Sequence, residues 1–313
     1  MENLMNYAVA KIRAKEAGLL DKNGYLRLSQ SRNTKEFVKL LAEYGYDSES
    51  DFDGVLSSET LKTYAYVKEA AKSENLLFPF LLKYDLFNIG VYMKAELSGQ
   101  TDSKKLPYKN CGNFDTPTLV SALRDGRTVG FPDELIKIYN TAKEIYLNTN
   151  DISSAQIYLD KNGYEYILNR IKETKSDFVK KYFMTEADIK NLTFALRLKR
   201  LDSDELIKEL LIDGGYVETG RIIKAFHSSV SDLADVFSKS LSRTSLDTAF
   251  DAFSKDRPLK EITAALNENL KSIVEKTRLT AFGTDPIIAY VLNKEAEISA
   301  LRDMYYTILA KKQ

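Results

Sequence analysis

The sequence predicts an all-α chain in which one helical plan is used about three times. Three observations carry this expectation. Only 14 Gly and 6 Pro stand among 313 residues, so turn residues are scarce and long helices are expected. Apolar residues recur at helical spacing along most of the chain, and no stretch alternates in the manner of a half-buried strand. A short polar motif also returns at spacings that persist without gaps, the mark of an internal repeat. Asp85-Leu86-Phe87-Asn88 is echoed 103 residues later by Asp188-Ile189-Lys190-Asn191. Weaker copies stand at Asn3-Leu4-Met5-Asn6, 82 residues earlier, and at Glu297-Ile298-Ser299-Ala300, 109 residues after Asp188. At the 103 offset Gly112 falls on Gly215, Thr116 on Thr219, Leu119 on Ile222 and Ala122 on Ala225. At the 82 offset Thr34 falls on Thr116, Phe37 on Leu119 and Leu41 on Leu123.

Taken in order, residues 3–20 read as an amphipathic helix with Leu4, Tyr7, Ala8, Ile12 and Leu19 on one broad face, broken at Asp21 to Gly24. Asn33-Thr34 caps a helix with a Phe37, Leu40, Leu41 and Tyr44 stripe that Gly45 ends. Residues 47–54 read as a polar loop, and Ser57-Ser58 as the start of the next helix. Leu82, Leu86, Ile89, Met93 and Leu97 then form a helical stripe, with Asp85, Asn88 and Tyr92 on a neighbouring face, up to a stop at Ser98-Gly99. Asp115-Thr116 caps a short helix closed by Asp125-Gly126, and Pro132 opens the following one. Residues 151–183 supply further helices. Asp202 and Glu205 offer a capping box for a helix through Leu206, Leu210 and Leu211, with Gly214-Gly215 as its stop. Short helices over 219–226, 233–237 and 246–253 precede a longer one from Pro258 through Leu279. Thr284 or Asp285 caps a last helix, with Pro286 in its first turn, running to about Lys311.

Composition excludes several function classes. Acidic and basic residues balance at 45 each, without the basic surplus of a polyanion binder, so no nucleic-acid partner is expected. The 19 Tyr and 15 Phe then read as core and interface filler. One cysteine, Cys111, permits no intramolecular disulfide and points to a reducing compartment. No signal peptide is expected from the N-terminus, and the apolar cluster at 76–82 is far shorter than the roughly 20 residues of a spanning helix. A single histidine, His227, leaves no set for a zinc site, and it reads as a helix-end residue. Gly215 to Ile222 only superficially matches a phosphate loop, because Arg221 replaces the lysine and no strand precedes it. Asp85 and Asp188 occupy equivalent places in two repeats and do not form a general acid–base pair. No catalytic residue, cofactor site or metal site is expected.

Phe282-Gly283-Thr284-Asp285-Pro286-Ile287-Ile288-Ala289-Tyr290, leading into Lys294-Glu295-Ala296-Glu297-Ile298 and Leu301-Arg302, is the most specific signal. This segment resembles the signature of the C subunit of V-type (archaeal and bacterial type) rotary ATPases, the relative of the d subunit of the eukaryotic enzyme. Ile12-Arg13-Ala14-Lys15, Asp85 with Asn88, Ala155 to Asp160, and Asp188 with Asn191, Leu192 and Arg197 resemble that family's other landmarks in order. Ala300 departs from it, standing where a polar residue is frequent. The resemblance implies a funnel-shaped body of three pseudo-repeated helical bundles closed around a pseudo-threefold axis. Its repeats would be 1–84 completed by the C-terminal helix 286–311, then 85–187, then 188–313. It implies a non-catalytic rotor subunit, peripheral on the cytoplasmic face of the cell membrane. Such a subunit seats the central shaft, subunits D and F, on the membrane rotor ring of proteolipid subunits and passes rotation for proton or sodium transport. Asp85, Asn88, Asp188, Asn191, Glu297 and Arg302 are expected as buried or half-buried polar anchors tying long helices to their neighbours. The alternative is a free-standing helical repeat scaffold for another soluble protein, which explains the repeats but not the Phe282 to Arg302 signature.

Overall fold

The computed structural model describes residues 2–47, 51–71, 76–99, 106–108, 110–127 and 129–311, the side chains of 2–5 excepted. Among these the regular elements are all helical: α1 (Glu2–Glu16), α2 (Lys22–Ser29), α3 (Thr34–Glu43), α4 (Phe52–Ala71), α5 (Phe78–Leu97), α6 (Thr116–Asp125), α7 (Asp133–Thr149), α8 (Ile152–Ile171), α9 (Asp177–Arg200), α10 (Ile207–Leu210), α11 (Thr219–Ser228), α12 (Val230–Phe237), α13 (Arg243–Ser254), α14 (Leu259–Lys276) and α15 (Asp285–Ala310). A 3-10 turn, Thr277–Leu279, stands between the last two. The chain forms two compact units, Met1–Phe78 with Lys276–Gln313, and Pro79–Glu275.

In the first unit the two ends of the chain meet. α15 packs on α1, α3 and α4. Phe37, Leu41, Leu56 and Leu301 are fully buried there, and Phe52 stacks on Tyr305 with ring centroids 3.8 Å apart. Each such side chain stabilises the fold by roughly 1.5–3 kcal/mol relative to exposure. The Arg13 guanidinium ties α1 to the turn before α15 by donating to the carbonyls of Thr277 at 2.9 Å and Thr280 at 3.1 Å.

In the second unit α8 packs antiparallel on α7 and also meets α9 and α10, while α11 and α12 pair beside α9. Leu196, Ile222, Leu233, Phe237, Ile262 and Leu266, all fully buried, centre a core drawn from α9, α11, α12 and α14. Buried residues of α5 and α9 fall on several faces of each helix. Such helices are apolar nearly all round and belong inside a protein, and α15 shares this character.

The repeat is visible in the elements. α3, α6 and α11 are each ten residues long and begin at Thr34, Thr116 and Thr219, the 82 and 103 spacings of the sequence. Local caps form where side-chain chemistry places them. Asn33, Asp115 and Asp151 accept from backbone N–H groups of the first turns of α3, α6 and α8.

Other expectations fail for physical reasons. α1 ends at Glu16, and residues 22–29 form a separate helix because Asp21, expected to break the chain, caps α2 through the Gly24 N–H at 2.7 Å. Residues 48–50 of the expected 47–54 loop lie outside the described residues. α4 already begins at Phe52 rather than Ser57, where Asp51 accepts the Gly54 N–H at 2.7 Å. The Asp202–Glu205 box does not form. Asp202 takes a left-handed φ of 49°, and α10 is a four-residue helix without a side-chain cap. The helix from Pro258 stops at Lys276.

Candidate functional site

Asp85 and Asn88 stand mid-way along α5, three residues apart and therefore on one face, and both are buried. The Asp85 carboxylate accepts the Asn113 backbone N–H at 2.9 Å, the Asn113 side-chain amide at 3.0 Å and the Phe114 N–H at 3.4 Å. Asn88 brackets one residue: Nδ2 donates to the Tyr108 carbonyl at 2.9 Å and Oδ1 accepts the Tyr108 N–H at 3.3 Å. The loop leading into α6 thus finds its partners on a helix, which satisfies backbone groups that burial would otherwise leave unpaired.

The second copy repeats this geometry. Asp188 and Asn191 are fully buried on α9. Asp188 Oδ1 accepts the Val217 N–H at 3.2 Å, and Asn191 brackets Ile212, donating to its carbonyl at 2.9 Å and accepting its N–H at 2.8 Å. Phe114 and Val217 are 103 residues apart, as are the two aspartates. Each stands two residues before its helix, α6 or α11. Gly112 and Gly215 complete the cradle. A Cβ on Gly112 would lie 1.8 Å from Asp85 Oδ1, and one on Gly215 would lie 2.2 Å from Asp188 Oδ1. The sequence marks Gly112 and Gly215 as repeat positions and Gly215 also as a helix stop; in the structure Gly215 is instead a close approach to a carboxylate.

The copies differ at one atom. Where Asn113 gives its amide to Asp85, Tyr216 stands in the second copy, and Asp188 Oδ2 has no hydrogen-bond partner among the described residues. Burial accordingly pushes the Asp188 carboxyl up to about 6, against the smaller opposing effects of Ser240 and the Val217 and Tyr216 backbone.

Glu297 makes the third anchor with a different partner set. Its carboxylate accepts the Leu20 N–H at 2.5 Å, two residues before α2, as well as the Tyr46 hydroxyl at 2.6 Å and the Lys294 ammonium at 2.7 Å. Lys294, also buried, reaches Glu59 on α4 at 2.9 Å and the Tyr46 hydroxyl at 3.1 Å. Burial, then the Glu297 charge, pushes the Tyr46 hydroxyl far above its ordinary range. Ala300 stands in the amide's place, and its side chain offers no hydrogen bond. Arg302 is half-buried: it reaches Asp53 at 3.6 Å, and Tyr306 donates to the same carboxylate at 2.8 Å. In the Asn3 to Asn6 copy the side chains of residues 3–5 lie outside the described residues.

In all three anchors the acid holds a loop backbone just ahead of a helix rather than a second helix. The residues two positions before each acid are also engaged. Lys83 pairs with Glu186 at 2.7 Å, Tyr164 donates to Glu186 at 2.6 Å, and Tyr64 donates to Glu295 at 2.5 Å. Burial pushes Glu186 up, but Lys83 and Lys190 overcome it and hold the carboxyl below its usual value.

The arrangement holds structure and presents no reacting group. Among the described residues no group of three or more His, Cys, Asp or Glu could hold a metal ion. Cys111 is buried, which pushes its thiol up to about 11 and keeps it protonated at neutral pH. His227 is exposed in the last turn of α11. A sizeable groove of about 620 Å³ runs along α5, α8, α9 and α10, walled mainly by apolar side chains.

A helical chain whose recurring motif residues hold buried loop backbone defines a class, a helical protein built on a repeated plan. The family model described as ATP synthase (C/AC39) subunit matches residues 8–309, and the chain belongs to that family, the C subunits of A-type and V-type ATPases. The chain is 26% identical to the C subunit of the A-type ATP synthase of Methanococcoides burtonii, over 95% of this chain and 88% of that protein. It is 27% identical to the corresponding A-type ATP synthase protein of Thermococcus gammatolerans, over 96% of this chain and 84% of that one. It is 21% identical to the C subunit of the V-type sodium ATPase of Enterococcus hirae, over 93% and 90%. No helix among the described residues is long and apolar enough to cross a membrane.

Proposed function

We propose that this chain is the central-rotor socket of an A/V-type ATPase, seating the shaft subunits D and F on the membrane ring of proteolipid subunits and passing rotation between them. The observation that carries the reading is the family match across residues 8–309, joined to an interior organised by repeated acid anchors. A part that transmits torque needs a body that does not shear. Carboxylate-to-backbone bonds at the same place in successive repeats, each fixing the entry to a helix, supply that stiffness. We read the body as three bundles closed around a pseudo-threefold axis, 1–84 with 286–311, 85–187 and 188–313. The packing of α1 and α15 in one unit, with Glu297 gripping Leu20, supports closure over an open solenoid, whose repeats touch only their sequence neighbours. The assembled chain lies at the cytoplasmic face of the cell membrane, held by its partners.

A free-standing scaffold would share the repeats but gives no account of a family match from end to end. The test is depletion of this chain from cells followed by assay of ATP hydrolysis and ATP-driven ion uptake in membrane vesicles. The socket reading expects hydrolysis by the released catalytic part with ion uptake lost. Coupled uptake at the normal rate in vesicles lacking the chain would overturn it.

A further inference from the structure

The groove along α5, α8, α9 and α10 has a shape and a charge that the anchors do not explain. Along α9 and its C-cap it runs from Glu186 to Leu201, fifteen residues or about 22 Å, which is roughly four helical turns. Leu86, Ile157, Phe194, Leu198 and Leu210 give it an apolar floor. Two further apolar side chains of its lining, Phe87 and Leu201, are 52% and 63% exposed.

Four cations line it against two carboxylates, Asp160 and Glu186. Lys83 is already paired with Glu186, and Lys190 faces Asp160 and Glu186 while lying over the Tyr164 ring at 5.2 Å. Lys161 gives one hydrogen bond to the Lys208 carbonyl at 3.0 Å and also faces Glu165, which leaves Arg197 as the cation no carboxylate offsets. Arg197 is exposed, and its guanidinium has no hydrogen bond or ion pair among the described residues. Positive charge therefore remains in excess toward the Arg197 end. A small-molecule pocket encloses most of its ligand, whereas this opening is an open-sided trough with large apolar side chains at its rim. Troughs of this form take the apolar stripe of an amphipathic helix, read as anchors at i, i+3, i+4 and i+7.

We propose that the groove seats an amphipathic helix of a partner subunit, its apolar stripe on the α8–α9 floor and an acidic flank against Arg197 and Lys161. The inference rests on the reading of this chain as a subunit of an A/V-type ATPase, and it goes further by naming a surface and the chemistry of what covers it.

The test uses the assembled, affinity-purified ATPase. A benzophenone amino acid replaces Phe87 in one variant and Leu201 in another, and products of irradiation are mapped by mass spectrometry. The proposal expects both positions to cross-link to one helical segment of another ATPase subunit, rich in Asp and Glu beside its apolar positions. It expects Arg197→Glu to lower retention of that subunit at least tenfold at low salt, with Arg197→Lys close to the parent. The Arg197 side chain makes no ion pair or hydrogen bond among the described residues, so circular dichroism of the Arg197→Glu chain should match the parent. Cross-links only to lipid, to a basic segment or to this chain itself, or no cross-links in an intact complex, would overturn the groove proposal and leave the socket reading standing. An ATPase that purifies without this chain would overturn both.

Discussion

Adding a single methyl group at Gly112 should unseat the first anchor. Gly112 does not have the positive φ that favours glycine, so Gly112→Ala carries no backbone penalty and acts through contact alone. The new Cβ would lie 1.8 Å from Asp85 Oδ1 and 2.5 Å from its Cγ, while ordinary contact begins at 3.4 Å, so the carboxylate must retreat by roughly 1.6 Å. A retreat of that size breaks the two short bonds to Asn113, at 2.9 and 3.0 Å, and weakens the already long 3.4 Å contact with the Phe114 N–H. Hydrogen bonds to a charged group are worth about 1.5–3 kcal/mol each, and the Gly→Ala gain through the unfolded chain returns about 0.4–1 kcal/mol. With two bonds lost and partial relaxation, the expected net cost is about 2–5 kcal/mol. Denaturant unfolding measures the cost, and native-state hydrogen exchange locates it at the Asn113 and Phe114 amides. In an Asp85→Ala background the same methyl should cost almost nothing, because the atom it strikes is gone. Unchanged protection of those amides, or an equal cost in both backgrounds, would refute the cradle.

Other perturbations probe the remaining anchors. Asn191→Leu strands the buried N–H and C=O of Ile212, and it should lower unfolding stability by about 2–4 kcal/mol in a urea titration, since each unpaired group costs roughly 1–3 kcal/mol. Asp188, raised from 3.8 to about 6 by burial, binds its proton more tightly folded than unfolded. Its contribution is therefore fully present below about pH 4 and lost as pH rises through about 6, a window worth on the order of 3 kcal/mol. Tyr216→Asn, which supplies the amide that Asn113 gives in the other copy, should flatten that window and raise stability at pH 8, as followed by melting across pH 4–8. Lys294→Met leaves the Glu59 and Glu297 carboxylates without their shared cation. A loss of about 3–5 kcal/mol is expected by thermal or denaturant unfolding.

What can be read from the sequence divides along the range of the interactions. Asn33, Asp115 and Asp151 are legible as caps because a cap needs only its own first turn. Asp85, Asn88, Asp188 and Asn191 are legible as a repeated pair, and all four are buried. Their partners are not, since Asn113 and Val217 lie 28 and 29 residues downstream and meet the acids only through tertiary folding. Gly112 and Gly215 are visible as an aligned pair, and that recurrence across the offset is the available signal of their role. Lys294 and Glu297, three apart on one helix, can be paired from spacing alone. Glu59 and Tyr46, which complete the cluster, come from the other end of the chain. Asp21 and Asp51 read as loop residues because an acid that breaks one helix and an acid that caps the next look alike until the following turn is known to be helical.

On the proposed function, this chain would join shaft to ring. The most direct measurement is a mild-detergent purification of an affinity-tagged form of it from membranes, with the bound subunits quantified by mass spectrometry. The socket reading predicts that shaft subunits D and F and the ring proteolipid are recovered together in fixed proportion, and that the ring no longer accompanies the shaft when this chain is deleted. Recovery of shaft and ring together from cells lacking the chain would contradict it.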